Sequence, residues 1–282
     1  MLAVSALLLG AATVSAQTET QPQAPTRDDS WKPVVGMPGR DAVWVPTSHA
    51  MIETMLDLAK VTPDDFVMDL GSGDGRAIIA AAKRGTKGRG VEYNPDLVAF
   101  SKRLAAEAGV ADKADFVQGD MYEADISEAT VLALFLLPAN LEKLKPKFLA
   151  MRPGSRIVAN TFWMEGWEPD ETVKREDDCD SWCTAHLFII PAQVEGTWKL
   201  PQGELALKQS IQMVTGTLTT DGNPVPVEGK LRGEELSFTA GGAQYTGRVS
   251  GDRIEGSMTS GSKPATWSAV RAHRQARHEE EP

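Results

Sequence analysis

The sequence predicts an α/β domain with a mostly parallel sheet, followed by a smaller all-β domain. From residue 45 to residue 191, short apolar runs alternate with amphipathic helical stretches, as in strand–helix units around a parallel sheet. From residue 196 to residue 272 the helical periodicity disappears, and short alternating runs are separated by glycine turns such as Asp221-Gly222. This second pattern predicts an antiparallel meander that forms a small barrel or a sandwich.

Each element of the α/β domain has its own signal. Ile52, Met55, Leu56 and Ala59 recur at helical spacing and predict the first helix. The pair Asn94-Pro95 predicts a helix start, because asparagine caps helices and proline suits the first turn. The remaining expectations are strands at 66–70, 88–93, 115–118, 130–137, 156–162 and 186–190, helices at 76–84 and 94–108, and a helical segment around Leu141 that Pro146 interrupts.

Composition limits the classes of partner. The chain has 282 residues, 41% of them hydrophobic and 24% charged, which is typical of a globular protein rather than a disordered one. Its formal net charge is −10, whereas nucleic-acid binders present clustered lysine and arginine to phosphates. We therefore expect a basic or neutral partner and no nucleic acid.

The first sixteen residues form an apolar run that ends in Val14-Ser15-Ala16, a pattern typical of a signal-peptide cleavage site. The run is too short to span a bilayer of ~30 Å, so no stable membrane span is expected after leader removal. It predicts an exported or periplasmic protein; the alternative is a buried N-terminal helix in a cytoplasmic protein. The predicted organisation is a signal-like segment (1–16), a flexible lead-in (17–42), the α/β domain (43–194), the all-β domain (195–272) and a charged tail (273–282).

Cys179 and Cys183 are the only cysteines. In an exported protein they could form a disulfide that closes a short loop. A zinc site at this spacing would need two further ligands, and only His186 is near in sequence. We therefore expect no metal.

The strongest chemical signal is the run Asp69-Leu70-Gly71-Ser72-Gly73-Asp74-Gly75-Arg76, which follows a predicted strand and opens a predicted helix. Glycine lets the backbone turn sharply and lets a ligand approach closely. A dinucleotide-binding loop shares this logic, but its third fingerprint glycine is replaced here by Arg76. The carboxylate of Asp69 suits a cationic ligand and would repel a pyrophosphate.

Two further strand ends carry polar residues. Glu92 ends the second strand, where a carboxylate can accept both hydroxyls of a ribose. Asp120 and Met121 follow the third strand, where they can contact an adenine amino group and ring. Because ligands bind at the carboxyl edge of such sheets, the three strand ends predict one shared site.

These residues resemble those of the Rossmann-like, seven-strand methyltransferases that use S-adenosyl-L-methionine. Within them the chain is similar to the small protein-lysine methyltransferases, whose members are bacterial and mitochondrial. The subfamily resemblance rests on Val45-Pro46-Thr47, the 69–76 loop, Glu92-Tyr93-Asn94-Pro95 and Phe135-Leu136-Leu137-Pro138. It covers residues 43–191 and none of the β domain.

The resemblance implies methyl transfer from S-adenosylmethionine, with Pro46 and Thr47 over the methionine end of the cofactor. The cofactor-binding residues it implies are Pro46, Thr47, Asp69, Gly71, Ser72, Gly73, Gly75, Glu92, Asp120, Met121 and Leu136. The Asn-Pro-Pro-Tyr acceptor motif of amide methylators is replaced by Leu137-Pro138-Ala139-Asn140, which argues against DNA or glutamine methylation. The candidate residues on the acceptor side are Leu137, Pro138, Asn140 and Trp163.

An acidic segment follows the fifth predicted strand. Eight carboxylates between Glu165 and Asp180 face only two basic residues, and Trp163, Trp167 and Trp182 accompany them. Such a segment could attract an ammonium group by charge and by cation–π contact, or it could be a solvated loop. The sequence favours a lysine amine of a basic protein segment as the methyl acceptor. The alternatives are a small-molecule methyltransferase acting on a small amine, whose β domain shapes the pocket, and a non-catalytic cofactor-binding protein.

Overall fold

The computed structural model describes residues 30–272, so the predicted signal segment, residues 17–29 of the predicted lead-in and the predicted charged tail lie outside the described residues. Both domains belong to one unit that begins at Pro33. The helices are α1 (His49–Leu58), α2 (Arg76–Lys83), α3 (Pro95–Glu107) and α4 (Pro138–Leu149). The strands of the first domain are β1 (Phe66–Leu70), β2 (Lys87–Glu92), β3 (Ala114–Gln118), β4 (Val131–Leu134), β5 (Arg156–Asn160), β6 (Glu171–Lys174) and β7 (Thr184–Ile189).

The first seven strands form one sheet in the order β3-β2-β1-β4-β5-β7-β6. The first five in this order run parallel, β7 pairs antiparallel with β5, and the edge strand β6 pairs antiparallel with β7. The chain reverses its direction of travel across the sheet between β1 and β4. This switch point opens a crevice at the carboxyl ends of the strands, where ligands bind in sheets of this kind.

Helices cover both faces of the sheet. The buried residues of α1, α2 and α3 pack on one face around Val67 and Val131, and those of α4 pack on the other around Met68 and Leu132. Successive residues of β1 therefore point to opposite cores, as the two-residue period of a strand requires. This packing fixes β1, whose end carries Asp69 and the glycine loop.

One expectation about the α/β domain was wrong. Pro146 does not interrupt α4, which continues to Leu149. One lost backbone hydrogen bond is tolerated because Leu141, Leu144 and Phe148 are buried against the sheet. The acidic segment contains a strand that the sequence did not predict, since residues Glu171–Lys174 pair with β7 as an antiparallel edge strand.

The second domain is a closed antiparallel barrel, which confirms the barrel alternative of the prediction. Its strands are β8 (Gly196–Leu200), β9 (Gly203–Ser210), β10 (Met213–Thr220), β11 (Asn223–Arg232), β12 (Glu235–Ala240), β13 (Ala243–Ser250), β14 (Arg253–Ser260) and β15 (Lys263–Arg271). Side chains that include Trp198, Phe238 and Tyr245 form a core separate from those of the sheet.

The barrel contacts the sheet domain through polar groups and through Ile211, which packs against the core around Met68 and Leu132. The amide of Gln212 donates to the Glu168 carbonyl oxygen at 2.9 Å, and the backbone N–H of Ala192 donates to the Gly233 carbonyl oxygen at 2.8 Å. Asp170 accepts a hydrogen bond from the Ile189 backbone and faces Arg232 at 3.8 Å. Among residues 30–272, no helix has the length and apolar character that a membrane crossing requires.

Candidate active site

Two adjoining cavities lie at the switch point of the sheet. The larger has a volume of about 370 Å³ and is lined by residues that follow β2, β3 and β4. The smaller, about 50 Å³, is lined by the β1 end, the glycine loop and Pro46-Thr47. Trp44, Val45, Gly71 and Phe135 line both, so these residues mark the junction between the two cavities.

The glycine loop follows β1 and must turn at once to enter α2. Gly71 and Gly73 both have positive φ, +78° and +56°, which residues with a side chain rarely adopt. A Cβ atom at Gly73 would lie 2.5 Å from the indole nitrogen of Trp44. The loop therefore requires glycine both for its backbone conformation and for the close approach of Trp44.

Glu92 connects the loop to the end of β2. One carboxylate oxygen accepts the Gly73 backbone N–H at 2.9 Å, and the other accepts the Asn94 backbone N–H at 2.9 Å. The side chain also lines the large cavity. Glu92 thus holds the loop in place and keeps lone pairs available to a ligand in the cavity.

The side chain of Asp69 is buried and lines the small cavity. Burial, together with the nearby charges of Glu92 and Asp74, raises its pKa to about 8. The hydroxyl oxygen of Ser72, which lines the same cavity, is buried without a hydrogen-bond partner among residues 30–272. A ligand with a cationic donor would give these groups hydrogen-bond partners and would stabilise the ionised form of Asp69 by its opposite charge.

Asp120 lies in the large cavity and is held from two sides. One oxygen accepts the Tyr122 backbone N–H at 2.9 Å, and the other accepts the Arg40 guanidinium at 2.5 Å. The Tyr122 hydrogen bond and the Arg40 contact lower the pKa of Asp120, which therefore stays ionised. Arg40 also stacks over the ring of Tyr93 at 4.8 Å, so it closes this end of the cavity.

Thr47 is fixed by one partner from helix α2 and one from strand β5. The Arg76 guanidinium donates to its carbonyl oxygen at 2.7 Å, and Arg76 is in turn paired with Asp74. The buried amide of Asn160, at the end of β5, donates to its hydroxyl at 3.3 Å. These contacts place Pro46-Thr47 over the small cavity.

Three aromatic rings form one wall of the large cavity. Phe135 follows β4, Phe162 follows β5, and Trp182 lies in the loop between β6 and β7. The ring centroids are 6.1 Å apart for Phe135 and Phe162, 5.8 Å for Phe135 and Trp182, and 5.5 Å for Phe162 and Trp182. We call these three side chains the aromatic wall. The bond between Cys179 and Cys183, which the sequence permits but does not predict, is present next to Trp182, and residues 30–272 hold no cluster suited to a metal ion.

Most of the predicted site residues come together here. The two cavities are lined by Pro46, Thr47, Asp69, Gly71, Ser72, Gly73, Glu92, Asp120, Met121, Leu136, Leu137 and Asn140. Gly75 caps α2 instead, packed against Phe116, and Pro138 begins α4. Trp163 lines neither cavity and packs edge-on against His186, while Trp167 is buried in the core.

Several residues that line the large cavity were not predicted from the sequence. Residues 38–45 were expected to be largely a flexible lead-in, yet they line the large cavity, and two hydrogen bonds join Gly36 and Met37 to Trp44. Tyr93 belongs to the Glu92-Tyr93-Asn94-Pro95 motif, and its position next to Glu92 was a sequence signal that it lines the cavity. Nothing in the sequence indicates that Arg40 reaches Asp120, 80 positions away.

Comparison with known proteins agrees with this geometry. Residues 69–171 match the model of the ANTKMT methyltransferase domain. A protein-lysine N-methyltransferase of Saccharolobus islandicus is 43% identical over 150 residues, which are 52% of this chain and 92% of that protein. The adenine nucleotide translocase lysine N-methyltransferase of Mus musculus is 32% identical over 137 residues, 48% of this chain and 59% of that protein.

A solved structure is also similar. The RNA methyltransferase from Salinibacter ruber, in complex with S-adenosyl-L-homocysteine, is 46% identical, with a TM-score of 0.50. The match covers 53% of this chain and 96% of that one. The cofactor expected from the sequence is confirmed as S-adenosylmethionine, and the carboxylates, the unpaired Ser72 hydroxyl and the glycine loop fit it.

The first prediction concerns Glu92. Replacing it with alanine removes the ribose contacts and should weaken binding by about 1.5–3 kcal/mol, or roughly 10- to 150-fold in Kd. Because the ribose is common to both ligands, S-adenosylmethionine and S-adenosylhomocysteine should lose affinity equally in calorimetry. Asp115→Ala, at an exposed carboxylate on β3, is the control and should leave both affinities unchanged. Unaltered binding by folded Glu92→Ala would refute the ribose assignment.

The second prediction concerns the pKa of Asp69. Below about pH 8 this carboxyl is protonated, and a cationic ligand favours its ionised form, so binding must release a proton. Affinity for S-adenosylmethionine should therefore rise with pH between 6 and 7.5, by up to about tenfold per unit. This range stays below the titration of the ligand's own amine at roughly 7.7–8.0. Asp69→Asn should flatten the profile; parallel profiles for the two proteins would contradict the account.

Proposed function

Because the chain belongs to the family of S-adenosylmethionine-dependent protein-lysine methyltransferases, we propose that it modifies the side-chain amine of a lysine in a protein. The observation that carries the proposal is the aromatic wall of Phe135, Phe162 and Trp182 in the large cavity. Aromatic faces attract ammonium groups and also exclude water from them. The aromatic wall therefore suits an amine that binds as a charged ammonium group and then reacts in its neutral form.

The charge around the wall supports the same acceptor. The loop between β6 and β7 carries Glu176, Asp177, Asp178 and Asp180, all exposed. Their basic neighbour Arg175 is partly engaged by Asp178 at 3.9 Å. Asp170, by contrast, faces Arg232 of the barrel. The negative potential near the methyl acceptor therefore comes from the carboxylates of the loop between β6 and β7, and not from the whole acidic segment.

Methyl transfer requires little covalent chemistry from the protein itself. The cofactor supplies a methyl group on a positively charged sulfur, which makes that carbon an electrophile. The lysine nitrogen must lose its proton to solvent; it then bonds to the methyl carbon as the carbon–sulfur bond breaks and its electrons pass to sulfur. The residues that line the cavities contribute by aligning the two groups and excluding water, and the apolar wall lowers the amine pKa.

An RNA acceptor is the second candidate, because the similar Salinibacter ruber structure is named an RNA methyltransferase. The charge of this chain favours protein: its net charge is −10, and the exposed loop carboxylates beside Trp182 would repel phosphates. The barrel lines neither cavity, which disfavours the alternative in which it shapes a small-molecule pocket. The relatives named protein-lysine methyltransferases favour the lysine acceptor.

We also propose that the protein acts in an exported or periplasmic compartment. The disulfide between Cys179 and Cys183 supports this, because such bonds persist in oxidising environments. The predicted leader lies among the residues that the structure does not describe. An exported enzyme requires a source of cofactor outside the cytosol.

The third prediction tests the acceptor class. Purified protein is incubated with methyl-labelled S-adenosylmethionine and separate whole-cell fractions of protein, RNA and small molecules. The label should enter protein, and peptide mass spectrometry should place it on lysine nitrogen. Label confined to RNA or to small molecules would overturn the lysine proposal, and no label in any fraction would contradict turnover.

The same assay tests the acidic loop. Changing Asp177, Asp178 and Asp180 together to asparagine should slow protein labelling and flatten its dependence on salt. Charges at the edge of a binding site act mainly on the rate at which the partners associate, and salt screens them beyond about 8 Å. Cofactor affinity should stay unchanged. The matched control changes three exposed carboxylates of the barrel, Glu204, Glu228 and Glu235, to glutamine. A salt profile that is equally steep in both triple variants and the wild type would show that the loop carboxylates are only solvated.

A further inference from the structure

The junction of the two cavities locates the reacting end of the cofactor relative to the aromatic wall. In S-adenosylmethionine the sulfur joins the methionine part to the ribose. The small cavity holds the expected methionine contacts, and the large one holds the expected ribose contact, Glu92. Phe135 lines both cavities, and its ring contacts Trp182 at 5.8 Å between centroids. The acceptor amine must therefore approach beside Trp182, a conclusion that rests on the proposed function.

Trp182 is held in a backbone conformation that is unfavourable for a large side chain. Its φ is +62°, in the left-handed region that non-glycine residues rarely occupy. Its side chain is 44% exposed, so burial contributes only part of what holds it. Such a conformation persists only when the surrounding structure imposes it.

Two restraints hold the loop between β6 and β7, one in its first half and one in its second half. Arg175 fastens the first half: its guanidinium donates to the Asp177 carbonyl oxygen at 2.8 Å and to the Thr54 hydroxyl at 3.0 Å. The Cys179–Cys183 bond closes the second half, a five-residue ring that contains Trp182. Cys183 itself is anchored at the base of the β6–β7 hairpin, where its carbonyl oxygen accepts the Arg175 backbone N–H at 2.8 Å.

We propose that Trp182 is a specificity-determining residue for the amine acceptor, and that the Cys179–Cys183 disulfide positions it, so that methyl transfer depends on the redox state of this bond. The oxidised protein presents Trp182 against Phe135 and Phe162. Reduction opens the five-residue ring, and Trp182 leaves the left-handed conformation and the wall. The cofactor residues lie on other elements and keep their geometry.

The redox step balances with a dithiol as the reductant. The dithiol breaks the Sγ–Sγ bond and delivers two electrons and two protons, which leave Cys179 and Cys183 as thiols. The reductant becomes its own disulfide. Removal of the dithiol and addition of a disulfide oxidant reverse the exchange.

The first experiment follows Trp182 without any acceptor. Tryptophan emission is compared before and after dithiol treatment in the wild type, in Trp182→Leu and in Trp163→Leu. Trp163 is the matched control, since it is also exposed and close in sequence but lines neither cavity. Reduction should change the emission of the wild type and of Trp163→Leu, and leave Trp182→Leu nearly unchanged. Equal changes in all three proteins would overturn the proposal whatever the acceptor is.

The second experiment measures labelling of protein and cofactor affinity in the same samples. Reduction should lower protein labelling by about tenfold, in line with the loss of one cation–π contact, and reoxidation should restore it. Cys179→Ser/Cys183→Ser and Trp182→Leu should both be slow and insensitive to the dithiol. Calorimetry should find cofactor affinity within about twofold of the oxidised wild type in all of them.

The outcomes separate the two proposals. If the oxidised wild type labels no protein, the lysine acceptor is wrong, and the emission experiment still decides whether the disulfide positions Trp182. If the wild type labels protein equally well when reduced, the redox dependence is wrong and the lysine acceptor stands. If reduction also abolishes cofactor binding, the bond stabilises the whole domain, and its specific role at Trp182 is wrong.

Discussion

The bridge that Glu92 makes between the glycine loop and the end of β2 is the contact on which the site depends. Its two oxygens hold the backbone N–H groups of Gly73 and Asn94, so one carboxylate fixes the loop after β1 and the start of α3 together. This bridge exists because β1 and β2 are parallel neighbours whose carboxyl ends meet at the switch point. The position of the two cavities, and of the aromatic wall beside them, follows from that constraint.

The site places three carboxyl groups close together, and the fold disfavours the ionised form of one of them, Asp69. Asp69 is buried near Glu92 and Asp74, and burial and these like charges raise its pKa to about 8. A carboxyl with a raised pKa in the folded state lowers the free energy of unfolding as pH rises from about 4 to about 8. A cationic ligand reverses this effect, because it stabilises the ionised carboxylate. Such a group, costly to the fold and useful to a cationic ligand, is typical of a functional site.

The sequence predicts the local parts of this site well, because they follow from the hydrophobic periodicity of the strands and helices and from the residues that form turns. The glycine loop, Glu92 and Asp120 are each identified by their place after a strand, and the barrel by its two-residue period. Contacts between distant residues could not be predicted in this way: Arg40 on Asp120, Trp44 on Gly73, and Trp182 on Phe162 depend on tertiary packing. Pro146 shows the same limit, since burial of α4 outweighs the local preference of proline to end a helix.

The central claim is that the cofactor presents its methyl group at the junction of the two cavities, facing the aromatic wall. A crystal structure of the oxidised protein with S-adenosylhomocysteine tests it most directly. The account predicts that the ligand's sulfur lies beside Phe135, with the ribose hydroxyls on Glu92, the amine toward Asp69 and an open path from the sulfur past Trp182 to solvent. A ligand whose sulfur points away from Phe135, or is sealed off from Trp182, would contradict it.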